Sequence, residues 1–422
     1  MSNISGRISE APSVKSASGT SVDGRGPTTS AAIEWDLLLA ASSADRGLAD
    51  RGSDPGEGDL GRIRGLLEKP VEWEAVLRLA DNHGVSSLLY QNLSRLGDMV
   101  PSAVLDALRQ RYDKNVYKSL FLTSELMRIL DCLEGLGIGA IPYKGVVLSE
   151  VYYGDMALRQ TGDIDLFVRK RDVERSKNAL REMGYTTRLV IPEDAVEEYM
   201  ASGYEWTFDS PAGPNLLELQ WALEPRFYAV DFDMEGLFER AVKVTLGGRS
   251  VKTPSPEDLL LVLSVHAAKH VWGRLILLRD IAQILKLENL NWDWVQSRAR
   301  ELGIERILGV TFLLANRFLG AGIPVAVESV ILTDRAARVL ADEIAANMAA
   351  GVSYDAEKTS YFRLMMRLRE RRADQVRFFA RLTFTPGPGE WEVVRLPRAL
   401  FPLYRVVRLA RLGARFARGR PT

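Results

Sequence analysis

The sequence predicts an α+β protein in which a small mixed-sheet core lies between two helical regions. Apolar residues recur at helical spacing over residues 31–137 and again over residues 254–384, whereas short strand-like runs interleave with helices over residues 138–253. Residues 1–30 are rich in Ser, Gly, Thr and Pro, and we expect them to form a disordered tail. The remaining unit, residues 385–422, is an Arg-rich C-terminal segment.

The first helical region contains a stretch that predicts an unusually long helix. From Pro101 to Leu136 apolar residues recur at spacings of three and four, with no Gly or Pro inside the stretch before Gly135. The Gly135-Leu136-Gly137 sequence is a good helix stop. We therefore expect one long helix, or two helices stacked end to end.

The middle region alternates apolar runs with short helical patterns. The sequence favours strands over residues 138–143, 163–168, 185–190, 204–208 and 216–222, helices over residues 146–153 and 171–183, and a last hairpin from residues 242–246 and 250–252. After it, Ser255-Pro256-Glu257-Asp258 is a strong helix start, with a Ser cap, Pro at the first position and acids in the first turn.

Composition limits the function classes. Lys+Arg and Asp+Glu are both 55, so the formal net charge is zero, which argues against a protein that coats nucleic acid through bulk charge. The single cysteine, Cys132, excludes an intramolecular disulfide framework and any multi-cysteine metal site, and it fits a reducing, cytoplasmic compartment. The longest apolar run, residues 259–268, is too short to cross a bilayer and predicts a buried helix.

Acidic residues on two predicted strands form the strongest chemical signal. Asp163 and Asp165 are two residues apart, so on a strand both carboxylates point to the same face. Glu218 lies on a second predicted strand between Leu217 and Leu219, which face the core. Three carboxylates from adjacent strands can bind hard divalent cations and leave a spare base, as two-metal phosphoryl chemistry requires.

The order strand, Lys144-Gly145, short helix, Arg159 and Gly162-Asp163-Ile164-Asp165-Leu166 resembles the DNA polymerase beta-like nucleotidyltransferase superfamily. More narrowly, the chain is similar to the bacterial group of uncharacterised nucleotidyltransferase family proteins, from about Val71 to Lys286. The resemblance implies a nucleotidyltransferase α/β core in residues 138–253. It also implies that Asp163 and Asp165 hold Mg²⁺ and through it a nucleoside triphosphate, while Glu218 completes the metal site and accepts the proton of the incoming hydroxyl.

The same resemblance implies that Lys144, Gly145, Arg159 and Gly162 contact the nucleotide, with Lys144 and Arg159 neutralising its phosphates. Structural alternatives stay open for both cations. Lys144 would then pair with an acid such as Asp155 or Glu150, and Arg159 with Asp163 or Asp155.

His266 and His270 lie four residues apart on the helix that Ser255 begins, and so face the same way. The His-Ala-Ala-Lys-His sequence lacks the Glu of a metalloprotease helix, which disfavours a zinc site. We expect His266 to pack in the helix bundle, and Lys269 and His270 to line the cleft and contact the nucleotide.

The Arg-rich segment alternates arginines with apolar residues at helical spacing. This pattern predicts an amphipathic basic helix, with two alternatives: contact with a membrane surface, or docking on the helix bundle with solvated arginines. The arginines are Arg405, Arg408, Arg411, Arg415 and Arg418.

These observations lead to one principal hypothesis. The chain is expected to be a cytoplasmic, Mg²⁺-dependent transferase that moves a nucleoside monophosphate from an NTP to a hydroxyl or phosphate of a small-molecule, peptide or protein acceptor, with no sequence-specific nucleic acid partner. The alternatives are a catalytically inactive nucleotide-binding scaffold, for which the Lys-Gly loop is the reason, and a peripheral membrane adaptor in a biosynthetic pathway.

Overall fold

The computed structural model describes residues 29–44, 57–187, 189, 191, 195–352, 354, 359–386, 394, 396 and 398–418. The expected disordered tail lies outside the described residues, except that the first helix already begins at Thr29. The N-terminal region is helical, with α1 (Thr29–Ser43), α2 (Glu57–Leu67), α3 (Trp73–His83), α4 (Ser86–Leu93) and α5 (Ser102–Gly135). The long-helix prediction is confirmed, because α5 is one continuous helix.

The middle region forms a mixed five-stranded sheet. Its strands are β1 (Ala140–Pro142), β2 (Ile164–Val168), β3 (Thr186–Thr187), β4 (Glu205–Ser210) and β5 (Gly213–Gln220), in the order β1-β2-β5-β4-β3. The central pair, β2 and β5, is parallel, and the other pairs are antiparallel. The expected final hairpin, β6 (Val242–Leu246) and β7 (Arg249–Thr253), is a separate two-stranded sheet.

The helices of the middle region are short. They are α6 (Val146–Leu148), which continues as one π turn (Ser149–Tyr153), α7 (Val173–Glu182), α8 (Val196–Ser202) and α9 (Met234–Glu239). The fold is thus an α+β arrangement, and its sheet is built from the region that the sequence assigns to the core.

The C-terminal region is helical again. Ser255 caps its first helix as the sequence predicts, by accepting the backbone N–H of Asp258. The helices are α10 (Pro256–Lys269), α11 (Leu275–Ile284), α12 (Trp292–Leu302), α13 (Glu305–Leu319), α14 (Val325–Thr333), α15 (Arg335–Ala349), α16 (Thr359–Arg367), α17 (Arg372–Phe384) and α18 (Tyr404–Arg418). In the part of the chain that the structure covers, none of the helices is both long and apolar enough to cross a membrane.

Two apolar cores hold these elements together. One joins the N-terminal and C-terminal helical regions, where the Trp35 ring meets Phe318 of α13 at a centroid distance of 5.7 Å. The other covers one face of the sheet, where Leu166 and Leu217 pack with α5 and α7. Because side chains alternate along a strand, the residues next to these leucines on each strand point to the opposite face of the sheet. That opposite face carries the polar groups described next.

Candidate active site on the polar face of the sheet

The register of β2 and β5 brings two of the predicted acids together. Asp165 lies directly opposite Glu218 in the parallel pair, so both carboxylates leave the same face of the sheet. Asp163 lies at the residue before β2, and its carboxylate interacts electrostatically with that of Asp165. The three carboxylates that the sequence singles out therefore belong to one cluster.

This cluster carries more negative than positive charge. Burial raises the pKa of Asp163 to about 6, and the negative charge of Asp165 adds to the effect. Burial also raises the pKa of Glu218 to about 8, supported by repulsion from Asp165 and Glu205. A positive charge that enters this site would relieve the repulsion.

One cation is already present. The Lys144 ammonium lies 2.7 Å from a carboxylate oxygen of Asp165, and only 10% of the Lys144 side chain is exposed. Burial opposes its charge, but the surrounding acids, led by Asp165, raise the pKa of Lys144 well above its usual value. The expected structural partners of Lys144, Asp155 and Glu150, are wrong. Pro142 of β1 lies opposite Leu166 of β2 in an antiparallel pair, so the residues that follow β1 lie beside the start of β2, where Asp165 is.

Gly145 lets the Lys144 loop approach the acidic loop. Its backbone has φ +62°, and a Cβ there would lie 3.1 Å from the carbonyl oxygen of Asp163 and 3.1 Å from the Thr161 methyl carbon. Any side chain would push the two loops apart. The three-residue α6 that follows is too short to offer an anion site of its own, so the structure gives Gly145 a steric role.

Asn115 of α5 fixes the chain just before the acids. This buried amide donates to the carbonyl oxygens of Ala157 (2.7 Å) and Arg159 (3.2 Å). The sequence does carry a signal for this role of Asn115 in holding the loop. A polar side chain on the buried face of a long helix needs hydrogen-bond partners from another part of the chain. Gly162, in contrast, is exposed, and a Cβ there would meet nothing within 4 Å, so the structure gives no steric reason for glycine.

The guanidinium of Arg159 forms its hydrogen bonds with an acid outside the carboxylate cluster. Its guanidinium donates to both carboxylate oxygens of Asp280, at 2.8 Å and 2.9 Å, and the Tyr153 hydroxyl donates to the same carboxylate at 2.7 Å. Asp280 raises the pKa of Arg159 although burial opposes it. The partner is therefore neither Asp163 nor Asp155, because α11 places a buried acid against the loop that carries Arg159.

The α10 residues expected at the cleft are also largely engaged. The Lys269 ammonium lies 2.9 Å from a carboxylate oxygen of buried Glu224 and 3.2 Å from the Tyr204 hydroxyl. The His266 ring packs 4.7 Å from the ring of His270, which is exposed. Burial, and then the charge of Lys144, hold the pKa of His266 well below its usual value, so this ring is neutral and close to the site.

Sequence reasoning missed a hydrogen-bond network that orients Glu218. The Tyr143 hydroxyl donates to the Gln220 side-chain oxygen (2.7 Å), and the Gln220 amide donates to Glu218 (2.9 Å) and Glu205 (3.3 Å). Gln220 lies two residues after Glu218 on β5, so strand alternation already places both on one face. That alternation was the signal that could have found it.

A strained turn between α10 and α11 presents a further cation. Val271 and Trp272 have φ values of +51° and +50°, a conformation that costs a non-glycine residue about 1–3 kcal/mol. The Trp272 indole N–H donates to Thr311 at 3.0 Å and holds the turn. Arg274 follows, and its charge interacts with that of Asp163. The sequence indicated interhelical packing and pairing for Arg274, and it did not predict the turn, since positive φ at Val and Trp has no sequence signal.

The donor chemistry of the cluster fits a divalent metal ion. Carboxylate oxygens are the ligands that Mg²⁺ prefers, and the raised pKa values of Asp163 and Glu218 show negative charge that a cation would compensate. Within the described residues, however, no group of three or more His, Cys, Asp or Glu side chains is already arranged to hold a metal. The predicted three-carboxylate metal site is thus not preassembled, because Asp165 is bound to Lys144.

Comparison with known proteins adds one family match. A family model described as "Uncharacterised nucleotidyltransferase" matches residues 69–320, more than half of the chain. The chain is also similar to an antigenic nucleotidyltransferase-like protein from Paracoccidioides brasiliensis, with 18% identity over 49% of this chain and 94% of that one. The TM-score of 0.30 is too low to establish a shared fold. No curated protein matches the chain.

Proposed function

Because this chain belongs to the family of uncharacterised nucleotidyltransferases, we propose that it transfers a nucleoside monophosphate from an NTP to a hydroxyl or phosphate of an acceptor. The observation that carries the proposal is the register that places Asp165 opposite Glu218, on the sheet face that Asp163 and Lys144 share. A surplus of carboxylates beside one lysine cation is the charge arrangement that Mg²⁺ and a triphosphate together would complete.

In this proposal Asp163, Asp165 and Glu218 hold Mg²⁺. When bound, the metal neutralises the triphosphate and orients it for in-line displacement. No hydrogen bond or ion pair within the described residues holds the Asp163 carboxylate, whereas Asp165 must first exchange its Lys144 contact. The chain therefore has two of the three carboxylates available before any rearrangement of Lys144.

Lys144 has a second role once Asp165 is released. Its ammonium is held on a glycine-flanked loop at the edge of the sheet, within reach of a group bound to the carboxylates. There it binds phosphate oxygens and stabilises the charge that develops on the leaving pyrophosphate. Arg274, on the strained turn, adds a second positive charge on the Asp163 side of the site.

Glu218 accepts the proton of the acceptor hydroxyl; the positive charge of Mg²⁺ would first lower the raised pKa of Glu218, so that its carboxylate is ionised. The Gln220 amide fixes one carboxylate oxygen of Glu218, which leaves the other oxygen for the incoming group. The acceptor oxygen forms a bond to the α-phosphorus, the bond from that phosphorus to the bridging oxygen breaks, and pyrophosphate leaves with its electron pair. The neutral net charge and the single Cys132 support a cytoplasmic reaction on a small-molecule, peptide or protein acceptor.

The test is nucleotide transfer by wild type and by Asp163→Asn. Purified protein is incubated with each labelled NTP, Mg²⁺ and cell extract, and mass analysis identifies what gains a nucleotide. We expect wild type to label an acceptor and Asp163→Asn to reduce the rate about a thousandfold or more, because a metal ligand is lost. Asp131→Asn, on the exposed surface of α5, is the matched control and keeps full activity.

Melting curves accompany the assay. Asp163→Asn should melt at or above the wild-type temperature, since it removes a repulsive buried charge. Undiminished transfer by Asp163→Asn would refute the assignment of this carboxylate. Wild-type protein that binds Mg²⁺ and NTP but labels nothing would instead support the inactive nucleotide-binding scaffold, in which the Lys144–Asp165 pair persists.

A further inference from the structure

Helix α18 (Tyr404–Arg418) exposes two large apolar side chains on its outer side. Val406 is 58% exposed and Leu409 is 42% exposed, whereas Tyr404 is buried. Arg408 and Arg411 are half-buried. At 100° per residue, Tyr404, Arg408 and Arg411 share the inner side, and Val406 and Leu409 lie on the outer side. A helix that is simply docked on a bundle has the opposite orientation, with apolar residues inside and arginines in solvent.

Contacts on the inner side hold this orientation. The Arg408 guanidinium donates to the carbonyl oxygen of Leu382 in α17 at 2.7 Å and lies 6.0 Å from the centre of the Phe227 ring. The Tyr404 hydroxyl donates to the carbonyl oxygen of Val394 at 3.0 Å. The inner side thus uses polar groups for docking, and Val406 and Leu409 stay exposed on the outer side.

The adjoining helix α17 (Arg372–Phe384) extends the apolar surface. Its Phe379 is 61% exposed, an unusual state for a phenylalanine. We call the exposed large apolar side chains of α17, α18 and the turn before α18 (residues 398–403) the C-terminal apolar surface; they are Val376, Phe379, Phe384, Leu400, Leu403, Val406 and Leu409. Exposed apolar side chains gathered on two adjoining helices indicate an interaction site.

The charge of this segment identifies the occupant. Residues 393–422 contain no Asp, Glu or Lys and eight arginines, at positions 395, 398, 405, 408, 411, 415, 418 and 420, in a chain whose net charge is zero. A second copy of the chain would bring two such segments against each other, which like-charge repulsion opposes. An anionic lipid surface offers the complementary charge together with an apolar layer.

We propose that the C-terminal apolar surface docks onto an anionic lipid bilayer. Val406, Leu409 and Phe379 enter the boundary between headgroups and acyl chains, and Arg405, which is exposed, binds lipid phosphates. The helix lies in the plane of the bilayer surface and does not span it. The proposal concerns a surface separate from the carboxylate cluster and stands whether or not the chain transfers nucleotides.

The test is co-sedimentation of the full chain with vesicles. We expect binding to vesicles of phosphatidylcholine that contain phosphatidylserine, whose negative surface potential attracts arginines, and little binding to phosphatidylcholine alone. Added salt should weaken the binding, because Arg–phosphate attraction is screened. The double variant Val406→Asp/Leu409→Asp should bind the mixed vesicles about tenfold more weakly or worse.

Val339→Asp is the matched control, since Val339 is similarly exposed on α15, and it should bind like wild type. Equal binding of wild type and the double variant, or no preference for phosphatidylserine, would overturn the proposal. Light scattering of the same samples distinguishes self-association: a wild-type dimer that the double variant converts to monomer, without vesicle binding, would assign the surface to a second copy. Should the double variant fail to fold, the dependence of wild-type vesicle binding on phosphatidylserine and on salt still tests the proposal.

Discussion

Two buried ion pairs on neighbouring loops, Lys144–Asp165 and Arg159–Asp280, differ in how completely their charges are matched. Arg159 makes two hydrogen bonds to Asp280, and Tyr153 donates a third to the same carboxylate. Lys144 makes one contact to Asp165, and the surrounding acids remain in excess. A cationic side chain near a cleft does not therefore have to bind a ligand, because it can be fully occupied by a structural acid.

The difference shows what each pair can do. A bidentate pair has a fixed geometry, and breaking it leaves a buried charge without its counter-ion. A single contact in a surplus of carboxylates can be exchanged, because Asp165 can pass to a metal ion and Lys144 to a phosphate. We therefore assign the Arg159–Asp280 pair to structure and the Lys144–Asp165 pair to ligand exchange.

The largest expected effect tests the structural pair. Arg159→Met leaves Asp280 buried without its cation, and we expect the free energy of unfolding to fall by about 3–5 kcal/mol. Chemical denaturation measures it. Arg317→Met, which breaks an exposed pair with Asp342, is the control and should cost about 1 kcal/mol or less. A stable Arg159→Met protein that has lost only NTP affinity would return Arg159 to the nucleotide site.

The exchangeable pair should behave in the opposite way. Lys144→Met should weaken Mg²⁺-NTP binding by about 1.5–3 kcal/mol, the range for hydrogen bonds to charged groups, and lose less stability than Arg159→Met. The stability loss is smaller because Asp163 and Glu218, whose pKa values are raised, can take up protons in place of the lost cation.

Titration calorimetry with a non-hydrolysable NTP measures this affinity, and added salt should narrow the gap between the two proteins. Wild-type affinity in a strongly destabilised Lys144→Met protein would contradict ligand exchange and favour a purely structural Lys144.

Local rules predicted the part of the site that lies on strands. Alternation placed Asp165 and Glu218 on polar faces, and the hydrophobic runs around them predicted both strands. The same rule reaches Gln220, which was overlooked. It says nothing about Lys144, because a loop residue has no fixed direction and its partner Asp165 follows 21 positions later in the chain.

Tertiary packing decided the rest. Asp280 lies 121 residues after Arg159, and only the docking of α11 against the loop brings them together. The positive φ values of Val271 and Trp272 run against local preference and are imposed by the packing of α10 and α13 around the turn. For α18 the sequence predicted an amphipathic helix, but the choice of which side faces the protein depended on contacts with α17.

A third buried group, His83, extends the comparison, because none of the described acidic residues pairs with it. His83 ends α3, is 7% exposed, and its Nδ1 accepts the backbone N–H of Leu275 at 3.3 Å. Burial, and then the positive charge of Arg274, lower the pKa of His83 to about 4. Where Arg159 is stabilised by a matched carboxylate, His83 stays neutral.

A dependence of stability on pH follows from this neutrality. The unfolded chain takes up a proton at His83 near pH 6.5, whereas the folded protein resists protonation until about pH 4. Stability from His83 is therefore present above pH 6.5 and is lost as the pH falls from 6.5 toward 4. Between pH 7 and pH 5 we expect a loss of about 2 kcal/mol that His83→Gln lacks. Denaturation of both proteins at the two pH values measures the difference, and equal pH dependence would mean that His83 is charged in the fold.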